Sequence, residues 1–109
     1  MHDYKSVKLE VYIPKDYFAA LQGALRDVGA GRIGNYDNVL SYSTVRGTWR
    51  PLDNANPYMG TVDSISEAEE YKVEVICQAD KLAETIDAIK AVHPYEEPLI
   101  NAIPLLEPH

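Results

Sequence analysis

At 109 residues and 12.2 kDa, with 10 Lys and Arg against 17 Asp and Glu and a formal charge of −7, the chain can build one core and not two. No apolar run approaches the ~20 residues of a membrane span, no secretory leader opens the sequence, and the acidic balance speaks against a nucleic-acid partner. A single cysteine excludes an internal disulfide and points to a reducing, cytoplasmic setting.

Residues 7–13 alternate, with Val7, Leu9, Val11 and Ile13 on one face, the period of a half-buried strand. Pro14 ends it and prepares a helix start, with Asp16 in the first turn. Phe18, Leu21, Leu25 and Val28 then recur at helical spacing. Gly23 inside that helix costs about 1 kcal/mol against Ala, which close approach to a sheet would offset. Gly29 supplies a left-handed stop. A second strand covers about 39–50, with Gly47 marking a bulge or bend. Pro51–Gly60 reads as a loop.

Asp63, Glu67, Glu69 and Glu70 read as a solvated acidic segment before a third strand at 71–77. There Tyr71, Val73, Val75 and Cys77 share one face. Asp80 opens a second helix with the stripe Leu82, Ile86 and Ile89, and His93-Pro94 stops it. A last strand spans about 99–103, with Pro104 assigning its end to a sheet edge. The order predicts an α+β fold: a ferredoxin-like βαββαβ sandwich, a four-stranded antiparallel sheet with two helices on one face. Residues 1–109 are expected to form a single domain.

Gly29-Ala30-Gly31-Arg32-Ile33-Gly34 matches the dinucleotide fingerprint letter for letter. In that fingerprint the glycines follow a strand and open a helix, whereas here they follow a helix, so they are expected to make a tight connection. Cys77 shares a face with Val73 and Val75 and reads as a small buried hydrophobe. No nucleophile elbow accompanies the serines.

His93-Pro94-Tyr95-Glu96-Glu97-Pro98 carries an imidazole and two carboxylates, which could hold a divalent cation or form a rigid turn. His2 and His109 sit at the termini, so one chain cannot assemble a closed zinc site of Cys and His ligands. Trp49 beside Arg50, followed by Asn56-Pro57-Tyr58, could hold a ligand or anchor the loop on its own sheet or on a neighbour.

Together, Gly29-Ala30-Gly31, Ile33-Gly34-Asn35-Tyr36, Gly47-Thr48-Trp49-Arg50-Pro51, Asn56-Pro57-Tyr58, Gly60 and His93-Pro94-Tyr95-Glu96-Glu97-Pro98 occur in the order of a known module. They resemble the domain inserted in bacterial NIF-three-like (YqfO-type) proteins, and the match runs from about Val7 to Leu105. The His-Pro-Tyr-Glu block is also similar to the segment before the last strand of CutA proteins. The resemblance implies a CutA/PII-like variant of the ferredoxin-like fold, prone to trimerise. The segments that carry the dinuclear metal centre in the larger proteins have no counterpart here, so metal-dependent hydrolysis is not implied, and the chain looks like the module on its own. The sequence departs from the pattern at Asn38–Arg46, where the family often has a Cys near Val39 and a Gly near Val45.

Edge strands of a small open sheet need cover, and the apolar run Leu99–Ile103 wants a neighbour on its second face. The expectation is a non-enzymatic, homo-oligomeric binding or regulatory module, trimeric by preference, that needs no cofactor. A small molecule or ion would sit between subunits at Tyr36, Trp49, Arg50, His93, Tyr95 and Glu96. The alternative is a CutA-like divalent-metal protein using His93, Glu96 and Glu97.

Overall fold

The computed structural model describes residues 4–106, so His2 and His109 lie outside the described residues. Strand β1 (Ser6–Ile13) leads through a 3-10 turn at Lys15–Tyr17 into helix α1 (Phe18–Asp27). Strands β2 (Leu40–Trp49) and β3 (Ser66–Gln78) follow, then a second 3-10 turn at Ala79–Lys81, helix α2 (Leu82–Val92) and strand β4 (Ile100–Leu105). The sheet order is β2-β3-β1-β4, every pair antiparallel, which is the expected ferredoxin-like arrangement. No helix of the described residues is long and apolar enough to cross a membrane.

The alternation of β1 does what its period dictates: Val7, Leu9, Val11 and Ile13 are buried and the residues between them are not. They form one core with Val73, Val75 and Cys77 of β3 and with Leu21, Leu25 and Ile89 of the helices. On α2 the buried places fall to Thr85 and Ile89, while Ile86 is only half-buried. The Thr85 hydroxyl is accommodated by donating to the Lys81 carbonyl at 2.7 Å. Helix α1 closes with Ala30 N–H on Leu25 O and Gly29 N–H on Arg26 O, Gly29 standing at φ 83. That is the paired C-terminal bond of the Schellman motif, with glycine where a side chain would be strained.

Three expectations need correction. Gly23 is not pressed against the sheet: a Cβ there would meet nothing nearer than the Arg26 guanidinium at 3.7 Å. Gly47 is neither bulge nor bend, because the register runs unbroken from Leu40↔Val75 to Trp49↔Ser66. A Cβ at Gly47 would instead run into the Glu70 carboxylate. Of the acidic segment, Asp63 precedes β3 while Glu67, Glu69 and Glu70 belong to its first half; Asp63, Glu67 and Glu69 are exposed as expected, and Glu70 is buried. Beyond its apolar part the strand carries ion pairs: Arg46 Nε–Glu67 Oε2 across from β2 at 2.6 Å, and Lys15 Nζ of the first 3-10 turn to Glu69 Oε2 at 2.8 Å.

Strand β1 ends at Ile13↔Tyr71, so β2 and the first residues of β3 continue past it as a two-stranded ribbon. The molecule measures 45 by 29 by 21 Å. The outer face of the central strands carries charge: Lys8 pairs with Glu74 and Glu10, and Glu10 also with Lys72 at 3.5 Å. Pro104 does fall in an edge strand, β4.

Candidate functional site

The site grows from the gap where β1 stops. Pro94 keeps His93 out of helical geometry (φ −80, ψ 131), so the chain leaves α2 at that residue. His93 is then tied at both ring nitrogens: Nε2–H donates to Tyr12 O at 2.7 Å, and Nδ1 accepts the Tyr95 N–H at 3.2 Å. Burial lowers its pKa, so the neutral ring that makes both bonds is the favoured one. The bond to Tyr12 fixes Tyr95 beside the free flank of β3, where its hydroxyl donates to Glu70 Oε2 at 3.1 Å. Burial, reinforced by the Glu70 charge, holds the Tyr95 phenol well above the usual tyrosine range. Glu70 itself is only 8% exposed.

The loop after β2 closes the opposite side. Trp49 Nε1–H donates to Met59 O at 2.9 Å, and Asp63 N–H donates to Pro51 O at 2.7 Å. Glu96 reaches across to accept the Asn56 N–H at 2.9 Å. Gly60, at φ 111, lies so close to the indole that a Cβ would stand 2.9 Å from Trp49 Nε1. The rings of Trp49 and Tyr58 stand 6.4 and 5.9 Å from that of Tyr95, and Tyr17 meets Tyr58 edge-on at 6.0 Å. These walls enclose a pocket of about 410 Å³ whose lining also includes Tyr12, Arg50, Glu70 and Leu99.

Of the six residues singled out for a ligand, Trp49, Arg50, Tyr95 and Glu96 line this pocket. His93 is a support beneath it, 4.9 Å from the Tyr95 ring. Tyr36 is elsewhere: it closes a bridge with Ile33 ahead of β2, at the end of the strand opposite Trp49, and its side chain is exposed. Trp49 also serves the anchoring role through its bond to the loop. Within one chain, two members of the alternative metal set already have partners. His93 has no free ring nitrogen and Glu96 already accepts from Asn56. Among the described residues no three His, Cys, Asp or Glu side chains are grouped to hold an ion.

Glu70 is the part that sequence reasoning missed; Tyr58 lines the pocket as the Asn56-Pro57-Tyr58 segment allowed. The available signal was a glycine within a strand, which marks a close approach by another group; Gly47 clears the space for Glu70.

A second hollow, about 460 Å³, lies against the glycine-rich turn and includes Arg32, Cys77 and Lys81 in its lining. Gly31, at φ 76, donates to Ile76 O and accepts from Val39 N–H, both at 2.9 Å, and has no room for a Cβ. The fingerprint-like glycines therefore make a helix-to-strand connection, as their position after a helix implied. Cys77 is buried there, and burial pushes its thiol up, the reverse of an activated nucleophile.

No protein-family model matches the chain. It is 37% identical over 101 residues, 93% of its length, to a protein of Mycobacterium leprae named GTP cyclohydrolase 1 type 2 homolog, and spans 26% of that protein. Among solved structures it is similar to a Bacillus cereus protein related to NIF3 (30% identity, TM-score 0.81), covering 96% of this chain and 27% of that one. The fold is also that of the divalent cation tolerance protein CutA from Archaeoglobus fulgidus (19%, TM-score 0.69, covering 94% and 85%) and of Arabidopsis thaliana PII bound to citrate (20%, 0.63, covering 94% and 77%). The resemblance carried by the sequence motifs is thereby borne out. The chain spans about a quarter of the curated relative it matches.

Proposed function

We propose that this chain, similar over nearly its whole length to one quarter of a NIF3-related protein, is a self-associating binding module, trimeric by preference, that uses the Trp49–Tyr95 pocket to hold a small molecule or ion. On this reading residues 1–109 are one CutA/PII-like domain, and its role is regulatory rather than catalytic. The observation that carries it is the pocket itself: three aromatic rings and a buried carboxylate brought together by the end of β2, the loop after it, β3 and the segment after α2. The groups best suited to chemistry are committed to structure. His93 uses both nitrogens and Cys77 is buried with its thiol pushed up.

Self-association is supported by what the single chain leaves uncovered. Both edge strands, β2 and β4, present unpaired backbone, and Tyr42, Leu99 and Ile103 stand 52, 55 and 40% exposed beside them. The GTP cyclohydrolase activity in the relative's name is not assigned to this segment. Size exclusion with light scattering at micromolar concentration, together with a GTP-consumption assay, tests the reading. A mass near three times 12.2 kDa and no GTP consumption are expected. A 12.2 kDa monomer would overturn the assembly, and GTP turnover lost in Glu70→Gln would overturn the non-catalytic role.

A further inference from the structure

We propose that the pocket takes an organic cation bearing N–H groups, an amine or a guanidine, and that Glu70 is its anchor. This deepens the reading above and rests on the pocket being a binding site. The first observation is an unbalanced charge. Glu70 is 8% exposed and accepts the Tyr95 hydroxyl, yet it enters none of the ion pairs found among the described residues. A carboxylate accepts at about four lone-pair sites, and buried charges in proteins are ordinarily paired. One phenol hydroxyl leaves most of that capacity open toward the pocket Glu70 lines.

The second observation is shape. Gly47 makes the room that Glu70 Oε1 occupies, where any side chain would displace the carboxylate. The third is the wall. Trp49, Tyr58 and Tyr95 line the pocket together, the first two with ring centroids 6.4 and 5.9 Å from the third, and aromatic faces attract a cation laid over them. The fourth is the sign of the field. Glu70, Glu96 and Glu97 line the pocket against a single cation, Arg50, which is exposed. An anion would meet the buried carboxylate at the floor; an amine or guanidine would donate to it while its charge lies over the rings.

Trp49 is the only tryptophan, so its fluorescence reports the pocket directly. The assembled protein is titrated with agmatine, which carries both an amine and a guanidine, with tetramethylammonium, which has no N–H, and with inorganic phosphate. Agmatine is expected to give a saturable change, at least about tenfold weaker in Glu70→Gln, the loss of one charge-assisted bond. Tetramethylammonium is expected to bind more weakly than agmatine and to lose less affinity than agmatine in Glu70→Gln; phosphate is expected to be silent. Circular dichroism and light scattering establish that Glu70→Gln keeps the fold and the assembly.

Equal agmatine affinity in wild type and Glu70→Gln would overturn the anchor. Silence toward agmatine on an intact assembly would overturn the cation site while leaving the assembly reading standing. Silence combined with a changed mass in Glu70→Gln would assign the cation to a Lys or Arg of a second copy, and so also overturn a small-molecule ligand. A saturable agmatine response from a protein that scatters as a monomer would uphold the site and remove only the assembly.

Discussion

Replacing Gly47 with Ala adds one methyl group, and the structure gives it a definite cost. The new carbon would occupy the place of the Glu70 carboxylate, with Glu70 Cδ only 3.2 Å away, so the carboxylate must turn aside. Glu70 is buried, and turning it breaks its bond with the Tyr95 hydroxyl. A hydrogen bond to a charged acceptor contributes about 1.5–3 kcal/mol. Ala in a strand offsets about 0.5–1 kcal/mol of that by lowering the entropy of the unfolded chain. The expected net loss is about 1–2 kcal/mol, a fall in Tm of several degrees at roughly 4 °C or more per kcal/mol for a domain of this size. Urea and thermal unfolding at one fixed protomer concentration measure it. The decisive comparison is the same substitution in a Glu70→Ala background, where clash and bond are both gone. There Gly47→Ala should be neutral or stabilising, giving a coupling of about 1.5–3 kcal/mol between the two sites. A Gly47→Ala protein as stable as the parent, or equal effects in both backgrounds, would refute the reasoning.

Three further outcomes follow from the same contacts. Gly23→Ala should stabilise by up to about 1 kcal/mol, since the helix gains propensity and the added carbon meets only ordinary contact at 3.7 Å; a lower urea midpoint would show a crowding that the structure lacks. The Tyr95 phenol is held protonated in the fold, above the ordinary 10.0 of the unfolded chain, so its contribution is complete below pH 10 and is lost as pH rises from there through the folded value. The stability difference between the parent and Tyr95→Phe should therefore shrink or change sign between about pH 9 and 11, roughly one unit either side of that reference; a flat difference would contradict the burial of the hydroxyl. His93 is shifted the other way, so its contribution is full above the ordinary 6.5 and is lost as pH falls through the lower folded value. His93→Ala should remove that acid sensitivity and cost stability by leaving Tyr12 O and Tyr95 N–H without partners, and its zinc and copper titrations should match the parent's; a loss of metal stoichiometry would favour the metal reading instead.

Strand β1 was legible because four apolar residues at period two have one way to be buried, and the His93-Pro94 stop because proline constrains its neighbour wherever it falls. The ribbon was not legible. Its first half is held by Arg46, Glu67, Glu69 and Lys15, charges whose pairing depends on strands and turns distant in the sequence, and a local reading sees only a polar run. For the same reason a local reading places Glu70 with the solvated carboxylates. Its burial comes from Tyr95, 25 residues away, and from a glycine on the facing strand. Among the candidate residues, Trp49, Arg50, Tyr95 and Glu96 were found through motifs that the chain folds into one pocket. Tyr36 came with the same motif set but sits at the other end of β2, because adjacency in a resemblance is not adjacency in space.

The central claim is that copies of this chain cover one another's sheet edges beside the pocket. Hydrogen exchange at the backbone amides of β2 and β4, measured in a concentrated sample and again after dilution, reads those edges directly. The account predicts slow exchange at the outward-pointing amides of at least one of the two strands when concentrated, lost on dilution as the assembly dissociates. Exchange at the free-amide rate along both edges at every concentration would contradict it.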